Sequence, residues 1–202
     1  MNKYYYEGKT EEAAIDLALE QLKIAKEDLI INKIEDKSGL LKKSVKIEVL
    51  NINEIITFIK ETINEIIKRM NVECNLEVRR REKSISITIF SENNSILIGK
   101  NGKNIAALQL LIRQMVNSKL NKPISIILDV GNYKEKRAKS IAYLARKLAM
   151  EAHKTKTEVT MDSMNSYERR LVHEALANDK YVYTESIGEE PNRKVVIKLK
   201  EE

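Results

Sequence analysis

Apolar residues recur along this chain at two spacings, near 2 and near 3.6, and the order in which these follow one another separates three stretches. In the first, Tyr4, Tyr5 and Tyr6 have strand propensity, and Thr10-Glu11-Glu12 places a hydroxyl cap and negative charge at a helix start. That helix carries Ala14, Ile15, Ala18, Leu19 and Leu22 on one face. Alternation returns in Leu29 to Ile34 and in Val45-Lys46-Ile47-Glu48-Val49, with Ser38-Gly39 marking the turn between them. The pattern predicts a small βαββ unit.

The second stretch opens with a helix from about Asn53 to Met70, lined by Ile55, Ile56, Ile59, Ile63, Ile66 and Ile67. Asn51 followed three residues later by Glu54 resembles a capping box. No Gly, Pro or Ser-rich linker precedes this helix, so a boundary near Leu50 rests on the change of spacing alone. Two β-prone runs follow, Val72 to Arg80 and Ser84 to Phe90, and the charged Arg79-Arg80-Arg81-Glu82-Lys83 between them reads as a solvated hairpin end. Asn93 to Ile98 starts a short helix, Gly99-Lys100-Asn101-Gly102 interrupts it, and Lys103 to Lys119 continues with Ile105, Leu108, Leu111, Ile112, Met115 and Val116. Pro123 precedes a strand from Ile124 to Leu128. The order is αββααβ.

The third stretch begins with the longest helix, Asn132 to about His153, in which Ile141, Leu144, Ala145, Leu148 and Ala152 face a core. Lys136, Lys139, Arg146, Lys147 and Lys154 fall outside that stripe, with Tyr143 and Met150 among them. A β-prone piece (Glu158 to Met161), a helix capped near Asn165 or Ser166, and strands from Tyr181 to Glu185 and Lys194 to Leu199 complete it. Together the three stretches predict an α+β fold of three small modules, spanning residues 1–50, 51–131 and 132–202.

Charge divides the chain differently. Of its 202 residues, the first fifty hold 9 Lys and no Arg against 10 Asp or Glu, so the whole net charge of +6 and more belongs to the remainder. Between Gly99 and Lys156, 13 basic residues face only Asp129, Glu135 and Glu151. Such a local surplus suits a phosphate backbone. One cysteine, Cys74, excludes an intrachain disulfide and any cysteine-rich zinc site, and fits a cytoplasmic compartment. No run approaches the roughly 18 apolar residues of a membrane span, and MNKYYYEGKTEE lacks the features of a signal peptide.

Two constellations carry the chemistry. In Ile98-Gly99-Lys100-Asn101-Gly102-Lys103, glycines at both ends let the backbone turn between two helices and leave room for another chain to approach. The second helix then presents its N–H groups and positive dipole end beside two lysines, a surface for a sugar-phosphate backbone, with Ile98, Ile105 and Leu108 as a floor for bases. An ordinary helix-helix turn is the competing reading of a bare GxxG. A Walker A loop is excluded, because Leu97 stands at its first glycine position and Asn104 follows Gly102-Lys103.

The second constellation is Arg169 and His173, four apart at the edge of an apolar face of Leu171, Val172, Ala175 and Leu176. Arginine grips phosphate in a fork and histidine donates to or stacks on a base, with Arg170, Arg193 and Lys194 extending the surface. Equally, the pair can hydrogen-bond to nearby strands and hold its own module together. It does not start a zinc-protease HExxH, since Ala177 occupies the second His position. Lys139, Arg146, Lys147 and Arg193 form a secondary basic surface. No nucleophile paired with a base, no metal set and no cofactor loop is apparent, so the residues read as binding rather than catalytic, with no catalytic, metal or cofactor residues expected.

Residues 53–130 resemble a type II KH domain, whose order is αββααβ with GxxG between the paired helices. The segment MNSYERRLVHEAL, followed by TESIGEEPNRKVVI, resembles the R-three-H domain, named for Arg-x-x-x-His on a helix. A KH domain followed directly by that domain, behind a βαββ unit, is similar to the bacterial Jag family, also called KhpB or EloR. The resemblance implies single-stranded RNA binding, single-stranded DNA being compatible with the same contacts, and post-transcriptional control linked to cell elongation, division or envelope growth. It also implies partnership with a small stand-alone KH protein and a link to the YidC-type insertase SpoIIIJ or the cell-wall machinery; a homodimer is expected where the KH surface mainly dimerises. The alternative expectation is a protein-interaction adaptor at that machinery in which RNA binding is secondary. The chain departs from the family at Lys37-Ser38-Gly39-Leu40-Leu41-Lys42-Lys43, where members carry a glycine-rich KGFLG-type turn, and in almost lacking the long linker of many members.

Overall fold

The computed structural model describes residues 1–38, 43–81, 84–120 and 123–200. They form two compact units, Met1–Gly131 and Asn132–Glu202. The predicted mixture of helices and small sheets is what the chain adopts, an α+β fold.

The first unit contains two three-stranded sheets. In the N-terminal one, β1 (Tyr4–Gly8) and β2 (Leu29–Ser38) flank β3 (Lys43–Asn51), both antiparallel to it. Helix α1 (Glu11–Leu22) starts at Thr10, whose hydroxyl accepts from the Ala13 amide at 3.1 Å, and lays Ala14, Ile15 and Ala18 on Val45, Ile47 and Val49. The Gly39 to Lys42 part of the predicted turn lies outside the described residues. On the other face of β3, Leu50 joins a different core, that of α2 (Ile52–Arg69), together with Ile30. Asn51 ends β3 and caps α2, accepting from the Asn53 amide at 2.9 Å. Strand and helix therefore share one junction with no linker.

The capping box expected there is only half formed. Glu54 turns away from the helix to accept from the Tyr4 hydroxyl at 3.1 Å and the Asn2 amide at 2.8 Å. Arg80 departs from expectation in the same sense: it is not simply solvated but pairs with Asp28, which also accepts from Asn53. These contacts tie the N-terminal sheet to the elements that follow.

Those elements run α2, β4 (Asn75–Arg81), β5 (Ser84–Phe90), α3 (Asn94–Ile98), α4 (Lys103–Asn117) and β6 (Ser125–Val130), the predicted αββααβ. The sheet order is β4-β5-β6, antiparallel then parallel. Ile55, Ile59, Ile63 and Ile67 of α2 and Ile105, Ile112 and Val116 of α4 pack on Ile85, Ile87 and Ile89. Each fully buried aliphatic side chain of this kind contributes roughly 1.5–3 kcal/mol. Leu111 departs from its expected place: at 100° per residue it lies about 120° from the buried stripe, and it is 48 % exposed.

In the second unit, α5 (Tyr133–Thr155) and α6 (Ser166–Leu176) cover one face of the sheet β7-β9-β8, formed by Val159–Ser163, Lys194–Leu199 and Val182–Ile187. Both pairings are antiparallel. Helix α5 buries Ile141, Ala145, Ala149 and Ala152, whereas the expected Leu144 is 44 % exposed because it lies about 95° from the centre of that stripe. A full capping box starts α6: Asn165 accepts from the Glu168 amide at 3.0 Å and its own amide donates to Glu168 at 3.2 Å.

Candidate nucleic-acid interface

Helix α3 ends at Ile98 because Gly99 adopts φ 69° and ψ 178°, a conformation that a side chain resists. A Cβ there would lie 2.5 Å from Asn104 Cγ, and Asn104 is held by donating to the Ile96 carbonyl at 2.8 Å. One 3₁₀ turn follows, with Asn101 (φ 53°) and Gly102 (φ 77°) both left-handed, before α4 begins at Lys103. Asparagine and glycine are the two residues that take this backbone most readily. Gly102 is buried against the fold while Lys100 and Lys103 project outward, exposed.

No side chain caps α4 and no acidic residue stands in its first turn. Lys100 and Lys103 form no ion pair among the described residues. The loop thus combines two free ammonium groups with the positive end of a 15-residue helix. Of the expected floor, Ile98 and Leu108 are half-buried and accessible, but Ile105 is only 4 % exposed and belongs to the core.

Further along α4 a cleft of about 620 Å³ opens against β6, an edge strand, lined by Gln109, Arg113, Asn117, Pro123 and Ile127 among others. Gln109 Oε1 accepts from the Leu128 amide at 2.9 Å. The sequence reading missed these residues. Their signal was the polar flank that Gln109 and Arg113 add to an otherwise apolar helix.

Arg169 and His173 are brought together on the inner side of α6, and both are occupied. Arg169 is 7 % exposed, and its Nη1 donates to the Met164 carbonyl at 2.9 Å and to Glu190 at 2.8 Å. It ties the start of α6 to the turn between β8 and β9. His173 holds both ring nitrogens against hydroxyls of β8, Nδ1 at 2.6 Å from Thr184 Oγ1 and Nε2 at 2.9 Å from Ser186 Oγ. Burial, and then the Arg169 charge, push its pKa below the ordinary 6.5. Both causes favour the neutral imidazole.

Around this pair, Arg170 is exposed and bound to Glu174 at 2.7 Å, and Arg193 is exposed with no ion pair among the described residues. Glu168, 4 % exposed inside its capping box, also receives Arg137 at 2.8 Å. On α5, Lys139 pairs with Glu135 at 2.6 Å, while Arg146 and Lys147 are exposed without an ion pair among the described residues. Among the described residues no group of three or more His, Cys, Asp or Glu is placed to hold a metal, and no helix is long and apolar enough to cross a membrane.

Comparison with known proteins agrees with this architecture. Three family models match in sequence: Jag N-terminus over residues 6–50, the KH domain of KhpA/KhpB over 56–128, and the R-three-H domain over 139–199. The RNA-binding protein KhpB of Clostridium symbiosum is 35 % identical over 201 residues, covering 96 % of this chain and 90 % of the relative. That of Bacillus subtilis is 28 % identical over 200 residues, covering 96 % of each. That of Lactiplantibacillus plantarum is 34 % identical over 135 residues, 67 % of this chain but 42 % of the relative. With the three modules in the same order and a relative matched over nearly its whole length, the chain belongs to the KhpB family.

Proposed function

We propose that this protein binds single-stranded RNA, with Gly99 to Lys103 clamping the sugar-phosphate backbone, and that it acts in the cytoplasm as a post-transcriptional regulator of cell elongation, division or envelope growth. The observation that carries the reading is the loop itself: two exposed lysines, without an ion pair among the described residues, held at an uncapped helix start by a left-handed Asn101-Gly102 turn. A loop of this kind clamps about four nucleotides. Ile98 and Leu108, with the α4/β6 cleft beyond them, supply apolar and amide surface on which unstacked bases rest. The R-three-H module adds a weaker contact through His173 and the exposed Arg170 and Arg193, arranged around the turn that Arg169 anchors. Two weak contacts in one chain raise affinity through effective concentration.

Crosslinking and sequencing of bound RNA, compared between wild type and a Lys100→Asp, Asn101→Asp double variant, tests this. The variant loses most crosslinked RNA; an unchanged RNA profile rejects the clamp. Single-stranded DNA of the same sequence, used as competitor, decides whether a 2′-hydroxyl matters.

A second reading has one specific observation in its favour. Leu110 and Leu111 stand side by side on the outer face of α4, 49 % and 48 % exposed. That apolar pair suits packing against another KH domain, from a second copy or a small stand-alone KH protein, in an adaptor linked to an insertase or the cell-wall machinery. Leu110→Glu changes the sedimenting mass under this reading and leaves it unchanged otherwise.

A further inference from the structure

We infer that the outer face of α5 is a separate single-stranded RNA surface, reading backbone through its cations and bases through Tyr143 and the aromatic pair at its flank. The inference rests on the RNA-binding reading above but not on the GKNG loop. At 100° per residue, Lys136, Lys139, Arg146, Lys147, Met150 and Lys154 all lie within about 60° of Tyr143. That sector holds five cations and no acid; Glu135 and Glu151 sit at its two margins, about 80° away. Its ends are about 18 residues apart, so the charges are strung along about 27 Å.

Solvation alone explains a basic helix face, but it does not explain what lies along the middle of this one. Tyr143 is 70 % exposed and Met150 68 %, the two most exposed large apolar side chains among the described residues. Arg146, Lys147 and Lys154, interleaved with them, have no carboxylate partner among the described residues. At one flank, His153 stacks on Tyr181 with ring centroids 3.9 Å apart and planes inclined by 21°, and Tyr181 remains 54 % exposed. Cations alternating with open aromatic faces are what single-stranded nucleic acid requires, because every base offers a π-face and every link a phosphate.

Other occupants fit less well. Anionic lipid needs a continuous apolar face to enter the headgroup region, and the continuous apolar face of α5 is packed in its own core, leaving Tyr143 and Met150 isolated between charges and Leu144 about 100° away from Tyr143, outside the sector. An acidic peptide satisfies the cations but leaves the stacked rings without a role.

The test uses the full chain and a fluorescent single-stranded RNA pool of random sequence, followed by anisotropy across a KCl titration. Arg146→Glu with Lys147→Glu lowers affinity at low salt tenfold or more and flattens the slope of log K against log salt by about 1.4, two phosphates at about 0.7 each. Tyr143→Ala lowers affinity about fivefold or more while leaving the slope unchanged, the signature of a lost stack. All three positions are exposed, so melting temperatures stay at the wild-type value. If both variants bind as wild type does while the Lys100→Asp, Asn101→Asp variant is impaired, the α5 surface is rejected and the clamp stands. If wild type binds no RNA, both fall together. Loss of self-association or of phosphatidylglycerol-vesicle binding in Tyr143→Ala, with RNA curves unchanged, reassigns the face to a second copy or a membrane and overturns the inference.

Discussion

The GKNG loop and the Arg169/His173 pair are both short polar motifs at the edge of a helix, yet their side chains are in opposite states. Lys100 and Lys103 project into solvent without a carboxylate partner among the described residues, on a backbone whose left-handed residues keep them there. Arg169 is buried on a carbonyl and a carboxylate, and His173 has a hydroxyl on each nitrogen. Residue type does not distinguish the two cases; burial and partners do. An arginine already hydrogen-bonded at its guanidinium must give up those bonds before it can grip a phosphate, whereas a solvated ammonium exchanges only water and counterions.

The sharpest way to break the comparison is to mutate both motifs and read both stability and binding. Lys100→Asp with Asn101→Asp is expected to reduce RNA affinity by about two orders of magnitude, since it replaces attraction by repulsion at a helix start. Aspartate tolerates the left-handed backbone at 101 nearly as well as asparagine, so stability should change by no more than about 1 kcal/mol. Arg169→Met reverses the pattern. It deprives the Met164 carbonyl of a charged donor and frees the turn at Glu190, and about 2 kcal/mol of stability is lost. For a unit of this size that lowers its melting temperature by about 10 °C. Chemical denaturation followed by amide exchange in α6 and β8 checks it. An Arg169→Met protein that melts normally but no longer binds RNA places the guanidinium on the ligand after all.

A smaller effect probes why the loop has its shape. Gly99→Ala meets two obstacles, a positive φ and the Asn104 side chain 2.5 Å from the new Cβ. About 1–2 kcal/mol of stability is lost, and RNA affinity falls because α3 and α4 no longer meet at the same angle. Asn104→Ala removes the second obstacle, so the double variant is less impaired than the two single costs predict. Additive costs in that cycle mean that φ alone demands glycine.

Much of this was legible in the sequence, and what was not shares one cause. The order αββααβ, the Thr10 cap and the Asn165 start follow from spacing and local hydrogen bonding, which involve residues three or four apart. Placement of Leu111 and Leu144 failed because an apolar side chain was read as facing the core ahead of its angle: each lies roughly 95–120° from the centre of its helix's buried stripe, on the solvent side. Glu54 left its capping box for Tyr4, Arg80 found Asp28, and Arg169 found Glu190: each partner is far away in sequence, 50, 52 and 21 residues respectively. The candidate site divided along the same line. The loop's geometry is local, so its glycines announced it; the state of the Arg-x-x-x-His pair depends on a strand and a turn that arrive later in the chain.

The smallest effect is the one that separates support from contact at His173 itself. Burial and Arg169 lower its pKa in the folded protein below the 6.5 of the unfolded chain. Between those two values the unfolded state binds more protons, so folding stability rises with pH there. The contribution of the neutral imidazole is therefore complete above about pH 6.5 and is lost as pH falls from about 6.5 through the lower folded value. Thermal melts of the full chain, with amide exchange in β8 as the local reporter, should show this loss, and His173→Gln should flatten it while keeping a side chain able to bond Thr184. Equal pH slopes in the two proteins would assign the loss to other groups. RNA adds a test of opposite sign: an imidazolium on a phosphate gains with acid, whereas a neutral brace under β8 does not. If affinity rises on acidification through that window in wild type and not in His173→Gln, the histidine leaves the strand to meet the ligand; if both titrate alike, it stays where it is and the exposed arginines beside it make the contact.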